Sequence, residues 1–160
     1  MRQQAVLIGG EESGGLSVLG HIPEKDGILA DLLVVEMLAY EQKPLAAVWD
    51  DLVREVGLAP VNQRLDLRLT ATAKVRLLER LRAETPDQVD GLPVTGVNRI
   101  DGTKLNLGDS AWMLVRPSGT EPLVRVYLEA DTTARLASLV RAATAMVESL
   151  AGEPAQAGHH

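Results

Sequence analysis

The chain has 160 residues, of which 46% are apolar and 24% charged, the balance of a folded protein and not of a disordered one. A net charge of −6 and an aromatic content of only 2% argue against binding to nucleic acid or to an anionic membrane surface. The absence of cysteine excludes disulfides and thiolate metal sites. No segment resembles a secretory signal or a spanning helix, so we expect a soluble cytoplasmic protein.

The first third of the sequence predicts one strand and two helices. Residues 5–8 form a continuous apolar run stopped by two glycines, which is typical of a buried strand. Apolar spacing over residues 28–40 predicts a helix, and Pro44 begins a second helix that ends at Gly57. One strand with two helices is an incomplete α/β segment, because a buried strand needs neighbours on both edges. Its open edge could drive self-association.

A different pattern follows from residue 63 onward, where apolar and polar residues first alternate and then show helical spacing. The predicted elements are a strand at 65–69, a helix at 71–84, strands at 93–100, 111–116 and 124–129, and a helix from about 132 to 150. The order β-α-β-β-β-α predicts an α+β fold, with one antiparallel sheet and two helices on one face.

Residues 116–122, with the sequence Arg-Pro-Ser-Gly-Thr-Glu-Pro, connect two of these predicted strands. A loop of this composition can turn backbone N–H groups inward, while an arginine fork and hydroxyl groups close around a phosphate. The alternative is an ordinary hairpin turn, since Gly and Ser are common turn residues. An ordinary turn does not require Arg, Ser and Thr together, so the composition favours an anion site.

A second loop, residues 9–15, places the carboxylate of Glu11 and the hydroxyl of Ser13 among four glycines. A carboxylate together with a hydroxyl can hold the hydroxyl groups of a sugar. The alternative is a glycine-rich turn whose carboxylate caps a helix. The two loops together predict a site for a sugar phosphate.

These motifs, in this order, resemble the α-D-phosphohexomutase superfamily, which contains phosphoglucomutase and phosphomannomutase. Residues 10–14 are similar to the sugar-specificity loop of the family's third domain, and residues 21–27 to the segment that follows it. Residues 116–122 are similar to the phosphate-binding loop of its fourth domain. The resemblance implies a partial third domain at 1–60 and a fourth domain at 61–151, leaving 152–160 as a disordered tail or tag remnant.

Enzymes of this family interconvert hexose 1-phosphate and 6-phosphate through an active-site phosphoserine. Their Mg²⁺ is bound by an Asp-x-Asp-x-Asp loop in another domain. Neither sequence occurs among these 160 residues, and the adjacent Asp50 and Asp51 fall in a predicted helix, where their side chains diverge. The resemblance therefore implies a recognition portion without cofactor of its own, inactive alone.

The resemblance also assigns roles to individual residues. Lys25 is a candidate for contacting phosphate or assisting proton transfer, although a solvated lysine is the simpler alternative, and His21 is more often structural in such a place. Mannose-tolerant members usually carry histidine where this chain has Gly15, which favours glucose phosphates. The expected substrate-binding residues are Glu11, Ser13, Lys25, Arg116, Ser118, Gly119 and Thr120.

Two kinds of function remain open from the sequence. The chain is either the recognition portion of a phosphohexomutase or a native non-catalytic module that binds phosphosugars or associates with itself. The expected partners are a hexose phosphate, inorganic phosphate or sulfate, with neither nucleic acid nor membrane.

Overall fold

The computed structural model describes residues 6–11 and 15–157. The chain divides into two compact units, residues 1–57 and 58–160. No helix in the described part of the chain is long and apolar enough to cross a membrane.

The first unit consists of a small hairpin and two helices. Strands β1 (Ile8–Gly10) and β2 (Leu16–Val18) pair antiparallel, followed by helices α1 (Gly27–Glu41) and α2 (Leu45–Val56). Helix α1 begins where the carboxylate of Asp26 accepts a hydrogen bond from Leu29 N–H at 3.0 Å. Helix α2 ends at Gly57, whose φ of 71° is in the left-handed region that favours glycine.

The buried strand predicted at residues 5–8 is not observed. Ala5 lies outside the described residues, and the side chains of residues 6–8 are exposed, Leu7 to 72%. The strand instead includes Gly9 and Gly10, because backbone pairing with β2 does not depend on side chains. Within its described residues, the first unit therefore contains two strands where one was predicted.

Helix α1 carries apolar side chains on every side, interrupted by Asp31, Glu36 and Glu41, yet none of its residues is buried. Exposed apolar side chains occur on successive turns, at Ile28, Leu32, Val35 and Tyr40. A helix with this pattern is ordinarily enclosed by other elements on several sides. The first unit therefore exposes, within the described residues, more apolar surface than a monomeric domain usually does.

The second unit is built on one antiparallel sheet, which confirms the predicted α+β class. In chain order its elements are β3 (Val61–Arg68), α3 (Ala71–Ala83), β4 (Gln88–Val89), β5 (Leu92–Asn98), β6 (Thr103–Leu107), β7 (Ala111–Pro117), β8 (Leu123–Ala130), α4 (Thr133–Ala151) and β9 (Gln156–Ala157). The strand order across the sheet is β4-β5-β6-β7-β8-β3-β9.

Strand β6 is an element that the sequence patterns did not predict. It forms a hairpin with β5 through a turn at residues 99–102, where Gly102 has a φ of 106°. Its buried residues alternate with less buried ones, as in β7 and β8, so the pattern was present in the sequence. The predicted strand at 93–100 corresponds to β5, and no strand was predicted between residues 101 and 110.

The core of the second unit lies between one face of the sheet and the two long helices. Every second residue of β7 and β8 is buried there, and α3 and α4 add side chains at helical spacing. The largest fully buried side chains include Leu77, Leu81, Leu105, Met113, Leu128 and Leu139. The core is entirely aliphatic, as expected for a chain without phenylalanine.

The segment expected to be a disordered tail is instead attached to the sheet over part of its length. After Gly152 ends helix α4, the carboxylate of Glu153 binds the backbone N–H and the hydroxyl of Thr70, at 2.7 and 3.0 Å. Strand β9 then pairs with β3. Polar composition alone did not reveal these hydrogen bonds. Residues 158–160 lie outside the described residues.

Candidate functional site

The predicted phosphate loop connects the adjacent strands β7 and β8 of the second unit. Ser118 N–H donates to the carbonyl of Leu123 at 3.1 Å, and Leu123 N–H donates to the carbonyl of Glu121 at 2.9 Å. These bonds close residues 118–123 into a compact turn at the sheet's end. Ser118, Gly119 and Thr120 lie within this turn, and Arg116 lies just before it at the end of β7.

Ser118 is the most buried residue of this loop, with only 6% of its surface exposed. Its Oγ lies 3.4 Å from Thr120 N and 3.1 Å from Glu121 N, so it accepts hydrogen bonds from the loop's own backbone. The hydroxyl hydrogen is the donor that remains for a ligand. Ser118 therefore shapes the loop in addition to any role in binding.

Arg116 is oriented by an acidic residue from the neighbouring β5–β6 turn. Its Nε lies 3.1 Å from Oδ2 of Asp101, and the side chain is 44% exposed. A Cβ on the adjacent Gly102 would lie 2.5 Å from the carbonyl oxygen of Val115, so this turn packs directly against the end of β7. Because the ion pair uses Nε, both terminal Nη groups can be presented to an anion.

Sequence reasoning missed two residues that support this loop. One is Asp101, and the Asp-Gly pair at 101–102 was the available signal, since it is typical of tight turns. The other is Lys74 of α3, whose ammonium reaches the carbonyl oxygens of Ser118 and Glu121. A lysine in the first turn of a helix, where the dipole disfavours cations, was the corresponding signal.

The predicted sugar loop belongs to the first unit and turns between β1 and β2. Glu11 N–H donates to the carbonyl of Gly15 at 2.9 Å, which joins the ends of β1 and β2. Lys25 Nζ lies 2.9 Å from Oε2 of Glu11, and each side chain is 48% exposed. The structure therefore brings Glu11 and Lys25 together. Ser13 lies outside the described residues.

Gly15 leaves room for this ion pair. A Cβ at position 15 would lie 2.8 Å from Lys25 Cδ and 3.2 Å from Oε2 of Glu11. Any side chain at this position therefore competes with Lys25 for space.

His21 lies at the start of helix α1. Its Nε2 is 2.8 Å from Oδ2 of Asp26, whose other oxygen caps the helix. The hydrogen bond from His21, together with the backbone bond from Leu29, holds the pKa of Asp26 below its ordinary value. This arrangement agrees with a structural role for His21.

Nothing in the described part of the chain resembles a divalent-metal site. Those residues contain no group of three or more metal-binding side chains. Asp51 is engaged by Lys43 Nζ at 2.6 Å and by Arg54, and the hydrogen bond from Lys43 lowers the pKa of the Asp51 carboxyl. The described residues therefore do not fit Mg²⁺.

Comparison with known families covers most of the chain. The phosphoglucomutase/phosphomannomutase C-terminal domain matches residues 66–146, and α/β/α domain III of the same enzymes matches residues 1–56. The chain belongs to the phosphoglucomutase/phosphomannomutase family. The resemblance to the carboxy-terminal portion of the α-D-phosphohexomutases is thereby confirmed.

Two curated relatives illustrate the similarity. A Methanothermobacter thermautotrophicus protein described as a probable phosphoglucosamine mutase is 36% identical over 81% of this chain and 27% of its own length. The phosphoglucosamine mutase of Frankia alni is 35% identical over 89% of this chain and 29% of its own length. The chain thus spans less than a third of these family members.

Solved structures show the same relationship. A Thermus thermophilus protein assigned the name phosphomannomutase is 34% identical, with a TM-score of 0.65, over 89% of this chain and 26% of its own. A family member from Burkholderia thailandensis gives a TM-score of 0.68 over 96% of this chain and 30% of its own. At 24% identity, the latter supports the fold alone.

Proposed function

We propose that this chain carries the sugar-phosphate recognition elements of a phosphohexomutase, an enzyme that interconverts hexose 1-phosphate and hexose 6-phosphate. The observation that carries the proposal is the β7–β8 loop, where Arg116 is fixed by Asp101 beside Ser118, Gly119 and Thr120. A guanidinium, two hydroxyl groups and a glycine backbone at one turn match the requirements of a phosphate dianion.

Arg116 supplies the fixed positive charge of this site. Its Nη groups donate to phosphate oxygens in a bidentate manner, which gives direction as well as affinity. The hydroxyl groups of Ser118 and Thr120 donate to the remaining oxygens, and Gly119 allows the ligand to approach the backbone because it has no side chain. Among the described residues, nothing within 4 Å would meet a Cβ at Gly119.

Glu11 and Lys25 are proposed to bind the sugar phosphate in different ways, Glu11 as a hydrogen-bond acceptor and Lys25 as a donor. The carboxylate of Glu11 accepts hydrogen bonds from sugar hydroxyls, and the ammonium of Lys25 donates to ligand oxygens. The 2.9 Å ion pair between them supports this division, because a lysine paired with a carboxylate is a donor and a poor base. Ser13 remains a proposed partner of Glu11.

The preferred sugar is proposed to be a gluco-configured phosphate. Gly15 stands where a histidine would favour mannose phosphates, and the space beside it is taken by Lys25. Since two relatives carry phosphoglucosamine mutase in their names, a hexosamine phosphate belongs with glucose phosphate among the candidates.

Turnover is proposed to require parts that these 160 residues do not contain. Phosphoryl transfer depends on a nucleophile, a metal ion and positioning groups acting together. The sequence contains neither a phosphoserine motif nor an Asp-x-Asp-x-Asp loop, so the chain by itself should recognise phosphate without transferring it. We place this function in the cytoplasm, where hexose phosphates are metabolised.

The second candidate is a non-catalytic module that binds phosphosugars or associates with itself. The exposed apolar surface of helix α1 favours self-association. Sedimentation velocity over a range of protein concentrations measures whether the chain associates with itself. A stable dimer would support the self-associating form of this candidate, and a monomer at every concentration would count against it.

Phosphate binding by single-residue variants tests the proposal. Arg116→Ala should abolish the binding of inorganic phosphate, whereas Arg141→Ala on helix α4, which removes one positive charge elsewhere, should leave it intact. Equal binding by the parent and Arg116→Ala would refute the assignment. Mutase turnover by rigorously purified chain with glucose 1-phosphate, Mg²⁺ and a bisphosphate activator would refute the claim that other parts are needed.

A further inference from the structure

The phosphate loop, residues 116–122, is hydrogen-bonded to the segment at the start of helix α3, residues 69–74. Lys74 Nζ donates to the carbonyl oxygens of Ser118 and Glu121, at 2.5 and 3.0 Å. Leu69 N–H donates to the carbonyl of Pro122 at 3.0 Å. Three carbonyl groups of one short loop are thus bound by residues 69–74.

Lys74 occupies a position that the helix itself disfavours. It is the fourth residue of α3, and a cation near a helix N-terminus opposes the helix dipole. The side chain is half-buried, so extending it to the loop also costs rotamer freedom. Two hydrogen bonds from a charged donor offset these costs. A residue that is locally unfavourable and makes specific contacts elsewhere is a candidate for a functional role.

The two hydrogen bonds from Lys74 to the carbonyls of Ser118 and Glu121 form a clamp on the loop. This clamp determines the direction of one backbone amide. In a planar trans peptide the C=O and the following N–H point in opposite directions. Because the carbonyl of Ser118 is turned toward Lys74, the N–H of Gly119 is turned away from it. The carbonyl of Glu121 precedes Pro122, which has no N–H, so that peptide orients no donor.

The other amides of the turn already have partners. Ser118 N–H is bonded to Leu123, and the amides of Thr120 and Glu121 point to the hydroxyl of Ser118. In the described part of the chain, the Gly119 N–H is the loop amide without such an internal partner. It is also the amide that Lys74 orients.

We propose that Lys74 is a positioning residue that holds the Ser118 carbonyl inward and so presents the Gly119 N–H to a phosphate oxygen. This inference rests on the proposed function, because it concerns the same loop. Lys74 acts through the backbone and its ammonium is occupied by two carbonyls, so it is not itself the phosphate ligand.

The clamp can be tested without any ligand. In the 160-residue parent, the Lys74 ammonium should give a protected ¹H–¹⁵N signal, and the ¹³C′ shifts of Ser118 and Glu121 should show strong hydrogen bonding. Lys74→Met should move both carbonyl shifts, and Lys74→Arg should restore them in part. Lys104→Met removes the same charge from the sheet and should leave both carbonyls unchanged.

The consequence for binding is tested by titration with inorganic phosphate. Lys74→Met should weaken phosphate binding by about tenfold, because the charge-assisted hydrogen bond that orients the Gly119 N–H is lost. The phosphate-induced shift of the Gly119 amide should disappear. Lys104→Met should change the affinity by less than about twofold. Lys74→Arg should recover most of the affinity.

The outcomes separate this inference from the proposed function. If the parent binds no phosphate, the proposed function fails, and the clamp is judged by the ammonium signal and carbonyl shifts alone. An unprotected Lys74 ammonium in the folded parent would overturn the clamp even if Lys74→Met failed to fold. Equal weakening by Lys74→Met and Lys104→Met would overturn the positioning role, because it would show an effect of charge alone.

Discussion

The two proposed recognition loops, one in each unit, rest on different kinds of side-chain arrangement. Arg116 is fixed by one ion pair within a compact unit, whereas Glu11 and Lys25 form an exposed pair whose geometry depends on the missing Cβ of Gly15. Exposed ion pairs contribute little stability because water screens them. The pair is therefore of interest for the sugar-phosphate contact proposed for Glu11 and Lys25, and not for stability.

Gly15→Ala tests whether the space beside Lys25 is needed. The new Cβ would lie 2.8 Å from Lys25 Cδ, so the lysine must move and its contact with Glu11 should be lost. The ¹⁵Nζ and ¹³Cε shifts of Lys25 should then change. Gly9→Ala is the matched control, since among the described residues nothing lies within 4 Å of a Cβ there. Unchanged Lys25 signals in Gly15→Ala would contradict this expectation.

The Asp26 cap should make the stability of helix α1 depend on pH. The hydrogen bond from His21 lowers the pKa of Asp26 in the folded state, so the cap contributes fully above the ordinary carboxyl pKa. That contribution is lost as the pH falls through the depressed value.

Amide exchange of helix α1 measured from neutral pH to below about pH 4 follows this loss. Asp26→Asn keeps a cap acceptor but removes the titrating group, so the advantage of the parent over this variant should shrink as the pH falls. A parent whose advantage grows on acidification would contradict the assignment.

Two parts of the second unit support the phosphate loop. Helix α3 supplies Lys74, and the β5–β6 turn supplies Asp101. The start of α3 is in turn bound by Glu153, which follows helix α4. Glu153 therefore stabilises helix α3, and through Lys74 of that helix it supports the phosphate loop indirectly.

Glu153→Ala should destabilise the second unit by about 1 kcal/mol, because two hydrogen bonds at the start of α3 are lost and Thr70 is left to water. Thermal unfolding measures the change. Glu79→Ala on the same helix is the control and should change stability by less than about 0.5 kcal/mol. Equal effects of the two substitutions would show that the Glu153 contacts add nothing.

The sequence predicted the helices and the position of the turn between β7 and β8 well, because each has a local signal. Helix α4 has apolar spacing with a capping threonine, and residues 116–122 combine an arginine with turn residues. Strand β6 was missed because a short turn with charged residues separates it from β5. Lys74 and Asp101 were not foreseen because their partners are distant in sequence, 44 positions away for Lys74 and Ser118, and no local pattern specifies such a contact.

The two units should differ in stability, and hydrogen exchange can measure each of them within the same chain. The second unit has a closed aliphatic core with fully buried leucines, whereas no residue of α1 or α2 in the first unit is buried. We expect the region from about residue 63 to 151 to remain folded when the first unit opens. Hydrogen exchange should show strong protection in β7, β8 and α4 and weak protection in α1.

Leu139→Ala provides the matching perturbation. Leu139 is fully buried in the core of the second unit, so its truncation should cost about 2–5 kcal/mol there. Protection in α1 should not change. Equal protection of both units in a dilute, monomeric sample would contradict this picture of the chain.

The most direct test compares three ligands on one sample by ¹H–¹⁵N titration: inorganic phosphate, glucose 6-phosphate and mannose 6-phosphate. We predict weak binding, millimolar or worse, which corresponds to roughly 4 kcal/mol or less. All three should shift the amides of the Arg116 loop with similar affinity, Arg116→Ala should abolish the response, and Glu11→Ala should hardly change it. Clear discrimination between the two sugars that Glu11→Ala removes would contradict the claim that this chain recognises phosphate alone and needs further parts to read the sugar.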